Sequence, residues 1–168
     1  MLQELKDSVV GKSEGNENAG HWIKCSLGDS YKQAKNFDAA SLCFFEVKEL
    51  QDNGVQLGEW CGMDIEEVLQ AGRMTCSYEL YKKALALEND ADRLNDSFEK
   101  TEKYERSKSL YSKALKLAPE DEATQAGYWK IQAKLDPNLR LTVVNGQCIV
   151  ENIKENGGKG SIDITLPT

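Results

Sequence analysis

The single histidine and the five cysteines are the side chains with the most chemistry to offer. His21 precedes Cys25 by four residues, which places both on one face if the segment is helical. A structural zinc site usually needs four ligands, and the sequence has no CxxC pair to supply the others. The remaining thiols are Cys43, Cys61, Cys76 and Cys148. We therefore expect no metal. The thiols are expected to be reduced and to pack as small apolar side chains. Reduced thiols are typical of the cytoplasm or another reducing intracellular compartment.

Other candidate catalytic patterns are weak. The stretch GGKG at 157–160 lacks the spacing and the following helix that a phosphate-binding loop needs. A catalytic His21 would stand beside a Gly- and Ser-rich segment, a poor support for a base that must hold its geometry. Adjacent acids such as Glu66 and Glu67 fit a solvated helix surface. The sequence therefore predicts no cofactor and no enzymatic activity.

Composition narrows the class further. The 168 residues carry 21 Lys and Arg against 28 Asp and Glu, so the net charge is −7, which disfavours nucleic-acid binding. No apolar run approaches the roughly 18 residues that span a membrane, and no signal peptide is visible at the start. We expect three segments: a flexible N-terminal part over 1–20, a helical domain over 21–138 and a strand-forming tail over 139–168.

The helical part contains three similar stretches. In each, a large residue is followed three places on by a small one, four further by an aromatic and three further by Val or Ala. These offsets of three and four trace one face of a helix, and the alternation of large and small suits close helix packing. The three sets are Phe37, Ala40, Phe44 and Val47; Met74, Ser77, Tyr81 and Ala84; and Tyr104, Ser107, Tyr111 and Ala114.

The residues before each stretch complete a repeat of about 34 residues. Leu27, Gly28 and Tyr31 precede the first stretch, Ile65 and Val68 precede the second, and Leu94 and Phe98 precede the third, which Pro119 follows. With these residues the chain resembles the tetratricopeptide repeat family. The resemblance implies a mainly α fold: an α-solenoid of three helix pairs over residues 21–135, closed by a capping helix at 121–135. A long loop is expected around residues 52–54.

The resemblance also implies a concave groove, lined by the first helix of each pair, that receives a segment of a protein partner. Acids outnumber bases there, and a few apolar side chains could serve as anchors, so a basic, partly apolar peptide or helix is the expected partner. An acidic chaperone tail is disfavoured because Asp29 would repel it. The groove candidates are Trp22, Cys25, Asp29, Lys32, Glu59, Met63, Glu66, Leu69, Arg93, Asp96, Glu99 and Lys100.

The tail changes to a strand-like pattern. Two β-branched runs flank Asn145-Gly146, a strong hairpin signal that pairs Leu141 with Val150 and Arg140 with Glu151. Residues 161–166 alternate in the same way, which predicts a third strand after a loop at 155–160. The apolar face of this meander must be covered, either by the cap helix near Tyr128 and Ile131 or by another protein. Of the two, we expect the other protein, because a short solenoid already has its own cap.

Three functions fit these features. The first is a non-enzymatic protein-interaction module that binds its partner reversibly. The second is a structural subunit or assembly factor fixed in a larger complex. The third is the N-terminal part of a longer enzyme, of which residues 139–168 would begin the catalytic domain.

Overall fold

The computed structural model describes residues 19–145, 147–152 and 161–167. Most of the predicted flexible segment, and the predicted loop at 155–160, lie outside these residues. The described chain is mainly helical with small antiparallel sheets, as predicted. Its helices are α1 (Ala19–Gln33), α2 (Phe37–Asp52), α3 (Ile65–Asp92), α4 (Ser97–Leu117) and α5 (Glu122–Leu135). Its strands are β1 (Glu59–Trp60), β2 (Met63–Asp64), β3 (Leu139–Val144), β4 (Gln147–Asn152) and β5 (Ser161–Pro167).

The chain forms two compact units, one ending at Glu79 and the other beginning at Leu80. In the first, α1 and α2 form a packed helix hairpin, and the side-chain oxygen of Asn36 accepts from the Ala39 backbone to cap α2. Phe44 is fully buried, and its ring lies against Gly28 of α1 and Gly72 of α3. A Cβ on Gly28 would lie 3.0 Å from the Phe44 Cε1, so a glycine lets the helices approach.

The predicted long loop after α2 contains a short hairpin. β1 and β2 pair antiparallel, with Trp60 opposite Met63. The two-residue turn uses Cys61 at φ 53° and Gly62 at φ 74°, the left-handed backbone that tight hairpins require. The hairpin presents the exposed Trp60 beside α1.

The largest departure from the repeat prediction is α3. Residues 65–92 form one continuous helix, where two helices and a turn were expected. Gly72 was the only residue near the expected turn that could break the helix, and it instead makes room for the Phe44 ring. The prediction of three helix pairs plus a cap is therefore wrong in the number of helices, because the described residues contain five helices and not seven.

The third predicted pair changes for a related reason. Residues 93–96 connect α3 to α4, and Asp96 ends the connection by accepting a 2.9 Å hydrogen bond from the Glu99 backbone N–H. The C-terminal part of α3 thus pairs with α4. The Ser107 hydroxyl donates to the Ala84 carbonyl at 2.7 Å across this pair, and the buried Tyr111 ring fills the core.

Helix α5 stands where the cap was predicted, and the tail packs on it within the chain. The three strands run in the order β3-β4-β5, with Leu141 opposite Val150 and Arg140 opposite Glu151, as predicted. Val150 is fully buried against Ala126, with Trp129 packed beside them. The preference for another protein as the cover of this face was wrong. The tail also covers a different face of α5 from the predicted one. It packs on Ala126 and Trp129, whereas Ile131 belongs to the core with Tyr111.

Candidate partner-binding site

In the first unit, the predicted groove residue Trp22, at the start of α1, belongs to an aromatic cluster with His21 and Trp60. Trp22 donates its indole N–H to the Leu57 carbonyl at 2.7 Å, and the buried His21 ring bonds the same oxygen through Nε2 at 3.1 Å. Trp60 stacks on Trp22 with the ring centroids 6.4 Å apart and the planes 8° from parallel. Trp22 therefore holds the loop after α2 in place.

The charged candidates further along α1 satisfy one another. Lys32 lies 2.9 Å from Asp29, which also accepts from the Gln33 amide at 2.8 Å. Cys25 is fully buried, and burial followed by the nearby Asp29 carboxylate raises the pKa of its thiol to about 12. It is a core side chain.

The remaining candidates of the first unit are divided between surface and core. Glu59 and Glu66 are exposed, and Met63 is half-buried. Leu69, expected as an apolar anchor of the groove, is 1% exposed and is therefore a core residue. That part of the site prediction was wrong, because the face of α3 that carries Leu69 packs inward.

The candidates of the second unit lie around the start of α4. Arg93 and Asp96 belong to the connection, and Glu99 belongs to the first turn of α4. Lys100 follows one residue later and is half-buried. Among the described residues, no separate first helix of a third pair carries these side chains, so the helix that was predicted to line this part of the groove is absent.

The structure shows a different concave site in the second unit. A cavity of about 660 Å³ lies between the C-terminal part of α3, the α4–α5 connection and α5. Tyr81 and Leu85 supply its apolar surface, and Leu85 is 36% exposed. Its charged lining consists of Glu88, Glu120, Asp121, Glu122 and Lys130.

The floor of this cavity, which we name the acidic groove, includes the buried Glu88 and Tyr111, and both belong to a hydrogen-bonded network. Glu88 accepts from the Tyr111 hydroxyl and from the Lys134 ammonium, each at 2.8 Å. Lys134 also donates to Asp92 at 3.0 Å, and the Tyr104 hydroxyl donates to Asp92 at 2.5 Å. Two carboxylates thus share one ammonium and two hydroxyls, which ties α3, α4 and α5 together.

The network shifts the pKa values of its side chains. Burial, followed by the hydrogen bond to Asp92, raises the pKa of Tyr104 from its ordinary 10.0 to about 12. Burial and the bond to Glu88 raise the pKa of Tyr111 as well. Burial opposes the charge on Asp92, but the bonds from Tyr104 and Lys134 outweigh it and lower the pKa.

The rim of the groove stays negatively charged. Among the charged side chains at the rim, the three acids Glu120, Asp121 and Glu122 outnumber the single base Lys130. Asp121 caps α5 by accepting from the Thr124 backbone N–H at 3.3 Å and from the Thr124 hydroxyl. Glu120 and Glu122 are exposed. The groove can therefore attract a cation while Leu85 and Tyr81 offer apolar contact.

The repeat pattern does not predict this site, because it implies a turn inside α3 and only a capping role for α5. Tyr81, Leu85 and Glu88 recur at offsets of four and three, so one continuous helix brings them to one face. The absence of proline from Ile65 to Asp92 was the available clue to that continuity.

Among the described residues, Cys25, Cys43, Cys61 and Cys76 form no disulfide bond. Within residues 19–145, 147–152 and 161–167, no group of three His, Cys, Asp or Glu side chains is placed to hold a metal ion. Across the same residues, no helix is both long and apolar enough to cross a bilayer.

No family model matches the chain, and no curated protein or solved structure matches it at a significant level. The acidic groove has three properties that bear on function: its volume, its negative rim and its partly exposed apolar wall.

Proposed function

We propose that this chain is a non-enzymatic protein-interaction module, and that the acidic groove is where its partner binds. The observation that supports this most strongly is the cavity of about 660 Å³, which combines apolar side chains with a negative rim. Pockets that bind ligands are concave and largely apolar, with a few polar groups that orient the ligand.

The chemistry of the groove suggests the partner. Leu85 and Tyr81 favour an apolar side chain, while Glu120 and Glu122 favour Lys or Arg beside it. A short helix or extended segment that carries both would bury the first and pair the second at the rim. The rim pairs would contribute mainly to association rate and specificity, because exposed ion pairs are weak.

We further propose that the helices belong to a solenoid of the tetratricopeptide type. Two helix hairpins support this, α1–α2 and the C-terminal part of α3 with α4. In each, an aromatic of the second helix lies against a glycine of the next helix: Phe44 against Gly72 and Tyr111 against Gly127. In this proposal α3 is an extended first helix of the second repeat, and the free thiols suit a reducing compartment such as the cytoplasm.

A peptide-display selection on the full chain tests the proposed function. We expect enriched peptides to combine Lys or Arg with large apolar residues. The variant Glu120→Lys/Glu122→Lys should bind a selected peptide about tenfold more weakly, a loss of about 1.4 kcal/mol. The remaining binding should depend less on salt.

Glu99→Lys/Glu102→Lys provides the matched control. It makes the same charge change on α4, and Glu99 occupies the first turn of α4 as Glu122 does that of α5. The control should keep the affinity of the full chain. A larger loss in the control would instead support the groove predicted from sequence, to which Glu99 belongs. Equal affinities in all three proteins would reject both sites.

A structural subunit of a larger complex is the second candidate, supported by exposed apolar side chains. Phe98 is 77% exposed at the start of α4, and Leu42 is 67% exposed on α2. Single exposed apolar side chains are common on protein surfaces, so these two would mark an interface only where a partner covers them. This alternative predicts that the isolated chain aggregates, and that Phe98→Ser and Leu42→Ser raise its solubility.

A further inference from the structure

We propose that α4 carries a second docking surface, which binds an acidic segment of a protein partner. The surface, named here the basic strip, consists of Lys108, Ser109, Ser112, Lys113, Lys116 and the Tyr128 ring of α5. No residue of the basic strip lines the acidic groove. The second unit would then hold two partner segments of opposite charge.

The strip is concave although it lies mostly on one helix. Its α4 residues recur at offsets of three and four, which places them on one face. Together with Tyr128 they line a depression of about 270 Å³. Tyr128 is half-buried and fixed edge-on against Trp129, with ring centroids 5.6 Å apart, so it forms a firm wall.

The charge of the strip opposes that of the molecule. The whole chain has a net charge of −7, yet residues 106–117 contain four basic residues and no acid. Glu105, at the N-terminal end of the depression, is the acid among its lining residues. Lys113 is exposed and Lys108 is half-buried, with Ser109 and Ser112 between them as hydroxyl donors.

The helix dipole does not account for this arrangement. A lysine in the last turn of a helix is favoured by the negative end of the dipole, and the effect fades within that turn. Lys116 lies in the last turn of α4, whereas Lys108 is nine residues before its end at Leu117. The concave position of Lys108 beside the two serines fits a site for oxyanions.

Carboxylates of a protein segment suit this site best. A row of Asp or Glu side chains can accept from ammonium and hydroxyl groups spaced along a helix, and a shallow depression leaves room for several. A nucleic acid would meet the same lysines but also the repulsion of a chain with net charge −7. Phosphate groups share the oxyanion chemistry, so the experiment separates the two sources.

Fluorescence anisotropy with a labelled peptide of alternating Glu and Ala tests the proposal on the full chain. We expect binding at low ionic strength that weakens toward about 0.15 M salt. Lys108→Glu/Lys113→Glu should weaken it about tenfold or more, which corresponds to about 1.4 kcal/mol. The matched control Lys35→Glu/Lys83→Glu makes the same charge change at exposed positions outside the strip and should retain binding.

Further arms identify the occupant. Glu120→Lys/Glu122→Lys should leave the acidic peptide bound at least as tightly, which separates this surface from the acidic groove. A phosphoserine peptide that binds where the Glu peptide does not would overturn the choice of carboxylates. Light scattering that shows salt-sensitive self-association, lost in Lys108→Glu/Lys113→Glu, would make a second copy of the chain the occupant instead. Equal weakening in the strip variant and its control would overturn the site.

Discussion

The ring of Tyr111 occupies the space that a side chain on Gly127 would need. A Cβ at Gly127 would lie 2.5 Å from the Tyr111 Cε1 and 2.7 Å from its Cζ, well inside normal contact. This close approach lets α4 and α5 pack so that the Tyr111 hydroxyl reaches Glu88 at 2.8 Å. One glycine therefore supports both the helix packing and the floor of the acidic groove.

Gly127→Ala should destabilise the protein by about 1–3 kcal/mol, because the added methyl overpacks a buried ring. Urea or thermal unfolding checks this. The sign is informative, because an exposed Gly→Ala change inside a helix would stabilise by up to about 1 kcal/mol.

A graded series controls the first prediction. Gly72→Ala should be at least as harmful, since its Cβ would come closer still to the Phe44 ring. Gly28→Ala should cost less, because its nearest contact would be 3.0 Å. If all three variants unfold alike, ring–glycine contact does not determine their stability.

Removing the Lys134 ammonium from the network around Glu88 and Asp92 should also destabilise the chain. Lys134→Met leaves Glu88, whose side chain is 9% exposed, without its cation. We expect a loss of about 1–3 kcal/mol, less than for a fully buried pair because the Lys134 side chain remains 32% exposed. Glu88→Gln combined with Lys134→Met should recover part of the loss, and a double-mutant cycle measures the coupling. Strictly additive losses would contradict the network.

The unfolding free energy should fall as pH rises above about 10, the ordinary tyrosine pKa. The pKa of Tyr104 is 10.0 ordinarily and about 12 in the fold, so between these values the unfolded chain releases a proton that the folded chain keeps. Stability therefore decreases with rising pH across that window. The raised pKa of Lys134 acts in the same direction at higher pH.

Tyr104→Phe should make this alkaline loss shallower when thermal unfolding is followed between pH 9 and 12, the range in which tyrosine and lysine titrate. Tyr78→Phe, a change at an exposed tyrosine of α3, provides the comparison. Identical slopes for Tyr104→Phe and the unmodified chain would show that Tyr104 does not hold its proton through folding.

Deleting residues 139–168 should lower the melting temperature by about 4–8 °C, equivalent to about 2 kcal/mol in a chain of this size. The tail buries Val150 against Ala126 and Trp129, and the deletion exposes that face of α5. Val150→Asp in the full chain should act in the same direction. Arg140→Ala should change little, because its pair with Glu151 is exposed at 60% on the arginine side. An unchanged melting temperature after deletion would show that the packing adds no stability.

Local patterns predicted some parts of the fold well, for physical reasons visible in single residues. The period-two pattern around Asn145 fixed the register that pairs Leu141 with Val150, because a one-residue slip would turn the apolar face outward. The capping chemistry of Asp121 lies next to the expected start of α5. These features depend on neighbours in sequence.

Features that depend on distant contacts could not be predicted in this way. Gly72 looks like a helix break in the sequence, but the Phe44 ring gives it a packing role inside α3. Because α3 continues through the expected turn, the helices pair differently from the predicted repeats. Leu69 lies in the core, and the acidic groove lies between α3 and α5. Glu88, on the floor of the groove, also pairs with Lys134, 46 residues away in the sequence, which no local spacing reveals.

The central claim is that the acidic groove binds a basic, partly apolar segment, and amide chemical-shift mapping by NMR tests it most directly. A peptide chosen by display selection would be titrated into the isotopically labelled full chain. We predict that the largest shifts fall at Leu85, Ala123 and Lys130, which line the groove on both helices. Shifts concentrated at Trp22 and Glu66, with those three residues unmoved, would contradict the account.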